Sequence, residues 1–138
     1  MTDFPTPVRP TEDSADFFAA AAEGNLLLRR CSICGAVRGP QVSTCPACHA
    51  ESHNTIHSES TGTLVSWSVV HRSPLPDVDG PYTVGIVEAR EGPWVVLRLL
   101  CPVDHHLRAG QAIAYVGRHS GDDGEYILAG SPVEAAHR

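Results

Sequence analysis

The sequence predicts a mainly β protein with an N-terminal helix, a rubredoxin-like zinc ribbon and a five-stranded OB-fold barrel. Three observations predict it: an alanine-rich amphipathic stretch, two Cys-x-x-Cys pairs ten residues apart, and five strand-like segments in the second half of the chain. A chain of 138 residues is long enough for about one domain with a sizeable core. We expect an arm and docking helix (1–25), a zinc ribbon (26–60) and an OB-fold (61–138).

The first segment is predicted to be an extended arm followed by a helix. Residues 1–10 contain three prolines, and the stretch "TEDSADFFAAAAEGN" follows. Thr11 is a plausible N-cap, and Gly24 is expected to end the helix. Phe17, Phe18 and Ala21 form its apolar face. Because one short amphipathic helix is not stable alone, it must pack on the rest of this chain or on another subunit.

The N-terminal region resembles neither a secretory signal nor a membrane anchor. It has no basic segment followed by an apolar one, and the chain has no run of about 18 apolar residues. We therefore expect a cytoplasmic protein that does not span a membrane.

The four cysteines of the two pairs are the strongest motif in the sequence: Cys31, Cys34, Cys45 and Cys48. Each pair wraps a turn that brings two thiolates to one metal, and two such turns give the tetrahedral all-thiolate site that zinc accepts. Disulfides are not expected in the cytoplasm, and a thioredoxin-type redox centre needs one pair in an α/β fold. Spacing alone leaves an iron site or a metal-free ribbon as alternatives.

The segments after residue 60 read as five strands, because they are rich in β-branched and aromatic residues and are separated by Gly and Pro. A short helical turn is expected at 104–111, between the third and fourth strands. This is the layout of an OB-fold, with an SH3-like or other small barrel as the main rival. The predicted strands are 62–72, 82–90, 94–100, 112–117 and 125–130.

The charge distribution argues against a nucleic-acid ligand. The net charge is −6, with ten Arg and no Lys, and four thiolates around zinc would add about −2. Such a chain is poorly suited to a polyanion, whose binding depends on cations that neutralise phosphates. Locally, however, Arg29, Arg30 and Arg38 lie in a stretch without acidic residues between Glu23 and Glu51.

These arginines have two candidate roles. They either offset the negative charge of a zinc–thiolate centre or bind the phosphates of a discrete ligand. His71 and Arg72, at the end of the first barrel strand, are further candidates for ligand contact. Cys101 reads as a small buried residue rather than a nucleophile. We expect five further histidines to be exposed ribbon or loop residues: His49, His53, His57, His105 and His106.

The order of these parts resembles a known family. The entry "FFAAAAEGNLLLRRC", the four-cysteine ribbon, "GTLVSWSVVHRSPLP", "GPYTVGIVEAREGP" and "LRAGQAIAYV" together look like the zinc-ribbon/OB-fold family of acyl-CoA-associated proteins. The resemblance covers roughly residues 4–130. The ribbon alone is common, whereas the whole series in one order is much more specific.

The resemblance implies a non-catalytic subunit of a thiolase-like enzyme, of thiolase or steroid side-chain aldolase type, in lipid, steroid or acyl-CoA metabolism. The implied partners are a thiolase-like protein, in a heterotetramer of two plus two copies, and acyl-CoA. Coenzyme A is implied as a ligand shared with that partner, and Zn²⁺ as a structural ion on the four ribbon cysteines. The family pattern supplies no catalytic residue for any position of this chain.

Two other function classes are weighed against this one. A nucleic-acid-binding OB module would need a basic groove with interleaved aromatics, and only 6% of the residues are aromatic. A stand-alone acyl-transfer enzyme would need a reactive Cys101 or His71. The sequence shows no pairing of either residue with a base, so the accessory subunit is the preferred hypothesis.

Overall fold

The computed structural model describes residues 14–71, 81–119 and 126–133. Within these ranges no helix is long and apolar enough to cross a membrane. The elements are the helix α1 (Ala15–Ala22) and the strands β1 (Leu27–Cys31), β2 (Val37–Arg38), β3 (His53–His57), β4 (Thr61–Val70), β5 (Tyr82–Ala89), β6 (Trp94–Leu99), β7 (Ala112–His119) and β8 (Tyr126–Pro132).

The two ends of the helix α1 are capped differently. Ser14 occupies the N-cap position without a side-chain cap hydrogen bond, and the predicted cap, Thr11, lies outside the described residues. At the other end, the N–H of Gly24 donates to Ala21 O at 2.9 Å, and Gly24 has φ +79°. This left-handed residue after the last turn is a common helix terminator, so the predicted end at Gly24 is confirmed.

The ribbon contains a three-stranded antiparallel sheet in the order β2-β1-β3. In the ribbon sequence only the stretch "NLLLRR" (25–30) predicts a strand, and it corresponds to the central strand, β1. The strand β2 has two residues, and β3 has the sequence "HNTIH", which lacks an apolar run that would predict a strand. Both strands form through backbone pairing with β1, β2 along one of its edges and β3 along the other.

The second half of the chain is a closed barrel with the strand order β4-β5-β6-β8-β7. All neighbouring pairs are antiparallel except β6 and β8, which are parallel and are bridged at Leu99 and Gly130. A bulge between Leu64 and Ser66 bends β4, as bulges in barrel strands commonly do. The predicted five-stranded OB-fold is confirmed.

The helical turn expected at 104–111 is wrong. The segment forms turns near 103–104 and 109–110, and residues 105–108 have no regular secondary structure. The N–H of Gly110 donates to Leu64 O, and the N–H of Leu64 donates to Gln111 O, both at 2.8 Å. Because these backbone groups pair with β4, they are not available for helical hydrogen bonds.

The helix packs on the barrel of its own chain. Ala20 and Ala21 are buried, and Phe17 packs against the same core. A Cβ added to Gly117 of β7 would collide with Ala21 O, so helix and strand are in backbone contact. Ala21 lies in one cluster with residues of β1 and of the barrel: Leu26, Leu28, Leu64, Val87, Ala89, Leu97, Leu99, Leu107, Ile113, Tyr115 and Leu128.

A carboxylate joins the ribbon to the barrel. Glu91, in the turn between β5 and β6, accepts from Ser58 Oγ at 2.6 Å and from the N–H of Glu59 at 3.0 Å. Charge-assisted bonds of this kind are stronger than neutral ones. They fix the short linker between β3 and β4, and with it the placement of the ribbon on the barrel.

Replacement of Gly117 by alanine tests the contact between helix and barrel. Gly117→Ala should lower the free energy of unfolding by about 1–3 kcal/mol, because the new methyl group forces α1 away from β7. Gly39→Ala is the matched control, since its Cβ would approach only Val42 Cγ2, at 4.0 Å, and should change stability by less than about 1 kcal/mol. Chemical denaturation measures both, and equal effects would contradict this packing.

Candidate metal centre and adjoining pocket

The four predicted cysteines converge on one point. Their Sγ atoms all lie within 4.8 Å of one another. The Cys31–Cys48 and Cys34–Cys45 sulfur pairs are 3.5 and 3.6 Å apart. A tetrahedral zinc ion with Zn–S bonds of about 2.3 Å requires sulfur atoms about 3.8 Å apart. The donor set therefore fits the predicted zinc ion in both chemistry and size.

Two similar turns present the thiols. In the first, the N–H of Gly35 donates to Cys31 O at 3.0 Å; in the second, the N–H of His49 donates to Cys45 O at 2.8 Å. Gly35 has φ +82° and His49 has φ +66°. His49 is thus a non-glycine residue held in the left-handed region that the turn requires. His49 therefore takes, in the second turn, the place that Gly35 has in the first.

The electrostatics of the cluster favour a bound cation. Backbone N–H groups of Cys34 and Ile33 lower the pKa of Cys31 to about 6. The N–H of Ala50 favours the Cys48 thiolate, but the sulfur of Cys31, burial and the other thiols outweigh it and raise the pKa of Cys48 to about 12. Without a cation the cluster therefore cannot hold four negative sulfurs at neutral pH. A divalent ion removes that restriction and closes the tetrahedron.

Arg38 lies inside the ribbon, with 2% of its surface exposed. Its Nε donates to Val42 O at 2.7 Å, and its Nη2 donates to Ser43 O and Glu51 O, each at 3.1 Å. These carbonyls precede and follow the second cysteine pair. The guanidinium therefore fixes both ends of the second metal-binding turn, while Nη1 is buried with no hydrogen-bond partner among the described residues.

The other candidate ligand residues occupy three different places. Arg29 pairs with Arg38 across β1 and β2 and shares its face, and its Nη1 reaches Val42 O at 3.4 Å. Arg30 is exposed on the opposite face of the sheet. His71 is exposed after the end of β4, a ten-residue strand of about 30 Å that begins beside the ribbon. Arg72 lies outside the described residues. Of the candidates that the structure describes, only Arg29 and Arg38 are brought together.

A pocket that the sequence did not reveal lies beside Arg29. It has a volume of about 490 Å³ and lies between α1, the ribbon sheet and the loop before the second cysteine pair. Phe17 and Phe18 form an apolar wall with Leu27 and Leu28, and the polar rim includes Arg29, Ser43, Glu51 and His53. Its walls come from segments up to about forty residues apart in sequence, so no local pattern could have indicated it.

The remaining reactive side chains show no second centre. Burial raises the pKa of Cys101, so its thiol stays protonated at neutral pH and is a poor nucleophile. Outside the ribbon cysteines, the described residues contain no group of three His, Cys, Asp or Glu side chains placed to hold a metal ion.

Comparison with known families gives two adjacent matches. Residues 18–54 match the family model described as "ChsH2, rubredoxin-like zinc ribbon domain", and residues 56–137 match "ChsH2, C-terminal OB-fold domain". The first match covers most of α1 and the ribbon as far as the start of β3, and the second covers the end of β3 and the barrel.

Individual proteins and structures give a consistent result. The chain is 34% identical over 100 residues to the "Probable enoyl-CoA hydratase alpha subunit" of Thermomonospora curvata, with 70% of this chain and 31% of that protein covered. This chain therefore spans about a third of that relative's length. The solved "Ltp2-ChsH2(DUF35) aldolase" matches with a TM-score of 0.75 and 28% identity over 88% of this chain and 95% of that chain.

A second solved structure shows the same fold. It is a DUF35-family protein of unknown function from Sulfolobus solfataricus, with a TM-score of 0.60 and 12% identity over 90% of this chain and 87% of that chain. At this identity the likeness shows the architecture alone.

Metal analysis tests the centre directly. We expect one zinc ion per chain by elemental analysis, retained at pH 7 and released on acidification, because protons compete with the metal for the four thiolates. Cys34→Ser should lose the ion and unfold the ribbon, whereas Cys101→Ser, outside the cluster, should keep it. Iron in place of zinc, or a folded ribbon without metal, would contradict the assignment.

Substitution of Arg38 and of Arg30 tests whether the buried guanidinium stabilises the metal centre and whether the exposed one does not. Arg38→Ala should lower the free energy of unfolding by about 2–4 kcal/mol and weaken zinc retention against a chelator, because three carbonyls lose a charged donor. Arg30→Ala, which removes an exposed guanidinium on the opposite face of β1, should cost less than about 0.5 kcal/mol. If both variants retain zinc equally well, the buried guanidinium does not support the centre.

Proposed function

This chain belongs to the ChsH2 family, whose members join a rubredoxin-like zinc ribbon to a C-terminal OB-fold domain, and we propose that it is the accessory, acyl-CoA-binding subunit of a thiolase-like enzyme of aldolase type. The observation that carries the proposal is the match to 95% of a chain in a solved "Ltp2-ChsH2(DUF35) aldolase", at 28% identity and a TM-score of 0.75. That description names a second protein beside ChsH2, which supports a role as one member of a complex.

The chemistry of the described residues is consistent with an accessory role. The four-cysteine centre is closed, so a bound zinc ion would supply structural stability and offer no position for a reactive water. The Cys101 thiol, the candidate nucleophile of the competing hypothesis, has a raised pKa. In this proposal the bond-making residues belong to the partner, a thiolase-like protein, in an assembly of two copies of each subunit.

The pocket beside Arg29 is the proposed contact with coenzyme A. A volume of about 490 Å³ lies within the usual range for small-molecule sites, although it holds only part of so large a ligand. The exposed part of the Arg29 guanidinium can pair with a phosphate as a fork. Phe17 and Phe18 offer an apolar wall to the uncharged part of the ligand. Arg38 and Arg29 both donate to the Val42 carbonyl. Arg38 therefore helps to fix the loop that forms this rim of the pocket.

Assembly with a partner is tested by co-expression with a candidate thiolase-like protein. We expect native mass spectrometry to show two copies of each subunit, and aldol cleavage of an acyl-CoA substrate only when both subunits are present. Acyl-CoA turnover by this chain alone, lost in Cys101→Ala, would instead favour a stand-alone enzyme. If the two proteins do not associate, the proposal that this chain is an accessory subunit is contradicted.

Ligand binding is tested by calorimetric titration of the assembled complex with coenzyme A. Arg29→Ala should weaken binding by about 1–3 kcal/mol, as expected for hydrogen bonds to a charged group, with a smaller loss for an analogue without the 3′-phosphate. Arg30→Ala, on the opposite face of β1, is the matched control and should bind as the wild type does. A loss confined to Arg30→Ala would place the ligand on the other face, and equal affinities would remove both residues from the site.

A further inference from the structure

Two aromatic rings meet almost at a right angle in the wall of the pocket beside Arg29. Phe17 and Phe18 both line this pocket, with their ring centroids 5.3 Å apart and their planes inclined at 87°. A flat aromatic ring that stacks on one of them lies perpendicular to the other, and both arrangements are favourable between π-systems. Phe17 also packs against the hydrophobic core, so Phe18 is the ring on which a ligand can stack. This corner suits a planar heterocycle better than a flexible chain.

The charged side chains of the pocket are of both signs. Among the described residues that line it, Arg29 supplies the one guanidinium, and Asp16 and Glu51 add two exposed carboxylates. One cation beside two anions is a poor site for a pyrophosphate, because the carboxylates repel its charges. The same set suits a single phosphate at Arg29 together with a base that donates a hydrogen bond to a carboxylate.

The two ends of coenzyme A differ in the groups that this pocket can recognise. The nucleotide end has a planar purine with an exocyclic amino group, and the ribose next to it carries the 3′-phosphate. The pantetheine end is a flexible chain of amides ending in a thiol, without an aromatic ring or an anionic group. The nucleotide end therefore matches the aromatic corner, the guanidinium and the carboxylates together, whereas the pantetheine end matches none of them.

We propose that this pocket holds the adenosine 3′-phosphate end of coenzyme A, with the adenine ring stacked on Phe18. The inference rests on the proposed function, because it assigns one end of that ligand to the pocket. The 3′-phosphate pairs with the Arg29 guanidinium, and the adenine amino group donates to Asp16 or Glu51. The pantetheine arm, which carries the thioester, then extends out of the pocket toward the partner that supplies the bond-making residues.

Titration of the zinc-loaded chain with adenosine 3′,5′-bisphosphate, followed by nuclear magnetic resonance, tests the assignment. We expect the amide signals of Phe18, Arg29 and Glu51 to shift. The adenine protons should move upfield, because the ring current of Phe18 shields a stacked base. Pantetheine at the same concentration should leave these amides unchanged. AMP, which lacks the 3′-phosphate, should bind about tenfold more weakly, as expected for lost hydrogen bonds to a charged group.

Replacement of Phe18 tests the stacking of the base. Phe18→Leu should weaken binding of the bisphosphate about tenfold, in line with the usual contribution of a base stacked on an aromatic side chain. It should also remove the upfield shift of the adenine protons. Trp94→Leu, which removes a 59% exposed aromatic side chain outside the pocket, is the matched control and should bind as the wild type does.

Replacement of the two carboxylates tests recognition of the amino group. Because a carboxylate only accepts hydrogen bonds, the wild type should bind the adenosine bisphosphate about tenfold more tightly than its inosine counterpart, in which an oxygen replaces the amino group. Asp16→Asn or Glu51→Gln should lose most of this preference, because an amide side chain can donate to that oxygen. Glu59→Gln, outside the pocket, is the control and should retain it.

The possible failures separate this inference from the proposed function. The inference is overturned if the bisphosphate leaves the three amides unchanged, if AMP binds as tightly, or if neither carboxylate variant changes the preference for adenine. In each case, binding of intact coenzyme A to the assembled complex would still support the proposed function. If intact coenzyme A binds neither this chain nor the complex, both the inference and the proposed contact with coenzyme A are contradicted.

Discussion

The convergence of four thiols is the constraint on which the ribbon depends. In the segment 31–52, all of it described, the buried residues are Cys31, Arg38 and Cys45. Two of these belong to the four-cysteine cluster that could hold a metal ion and the third is a cation bonded to carbonyls, so this part of the chain has no hydrophobic core. Structural zinc can supply on the order of 10 kcal/mol of apparent binding free energy in small modules. A bound metal ion and the buried Arg38 guanidinium would thus stabilise the segment 31–52 in place of a hydrophobic core.

Strand β1 transmits this constraint to the rest of the molecule. It ends at Cys31, while Leu28 near its other end and Leu26 just before it lie in the barrel core with Ala21 of the helix. A fixed metal centre therefore fixes the face of β1 that carries Arg29, and the same strand forms a wall of the pocket against Phe17 and Phe18. Zinc would in this way shape a ligand site while having no contact with the ligand.

The features that could be predicted from sequence are those encoded locally. The Cys-x-x-Cys pairs specified the thiol cluster, and the apolar strands with their Gly and Pro boundaries specified the barrel. The helical turn at 104–111 was wrong because pairing with β4 outweighed local propensity. Strands β2 and β3 were missed because they exist only through pairing with β1. The separation of Arg30 from Arg29 follows from strand alternation, whereas the burial of Arg38 depends on carbonyls brought together by the folded ribbon.

Hydrogen exchange before and after removal of the metal tests the central claim most directly. With metal loss verified by elemental analysis, the account predicts that amides of β1, β2 and β3, including that of Arg29, lose protection together. Amides of β5, such as that of Val87 in the barrel core, should stay protected. Ribbon amides that remain protected in the metal-free protein would show that the thiol cluster does not organise the ribbon or the pocket built on it.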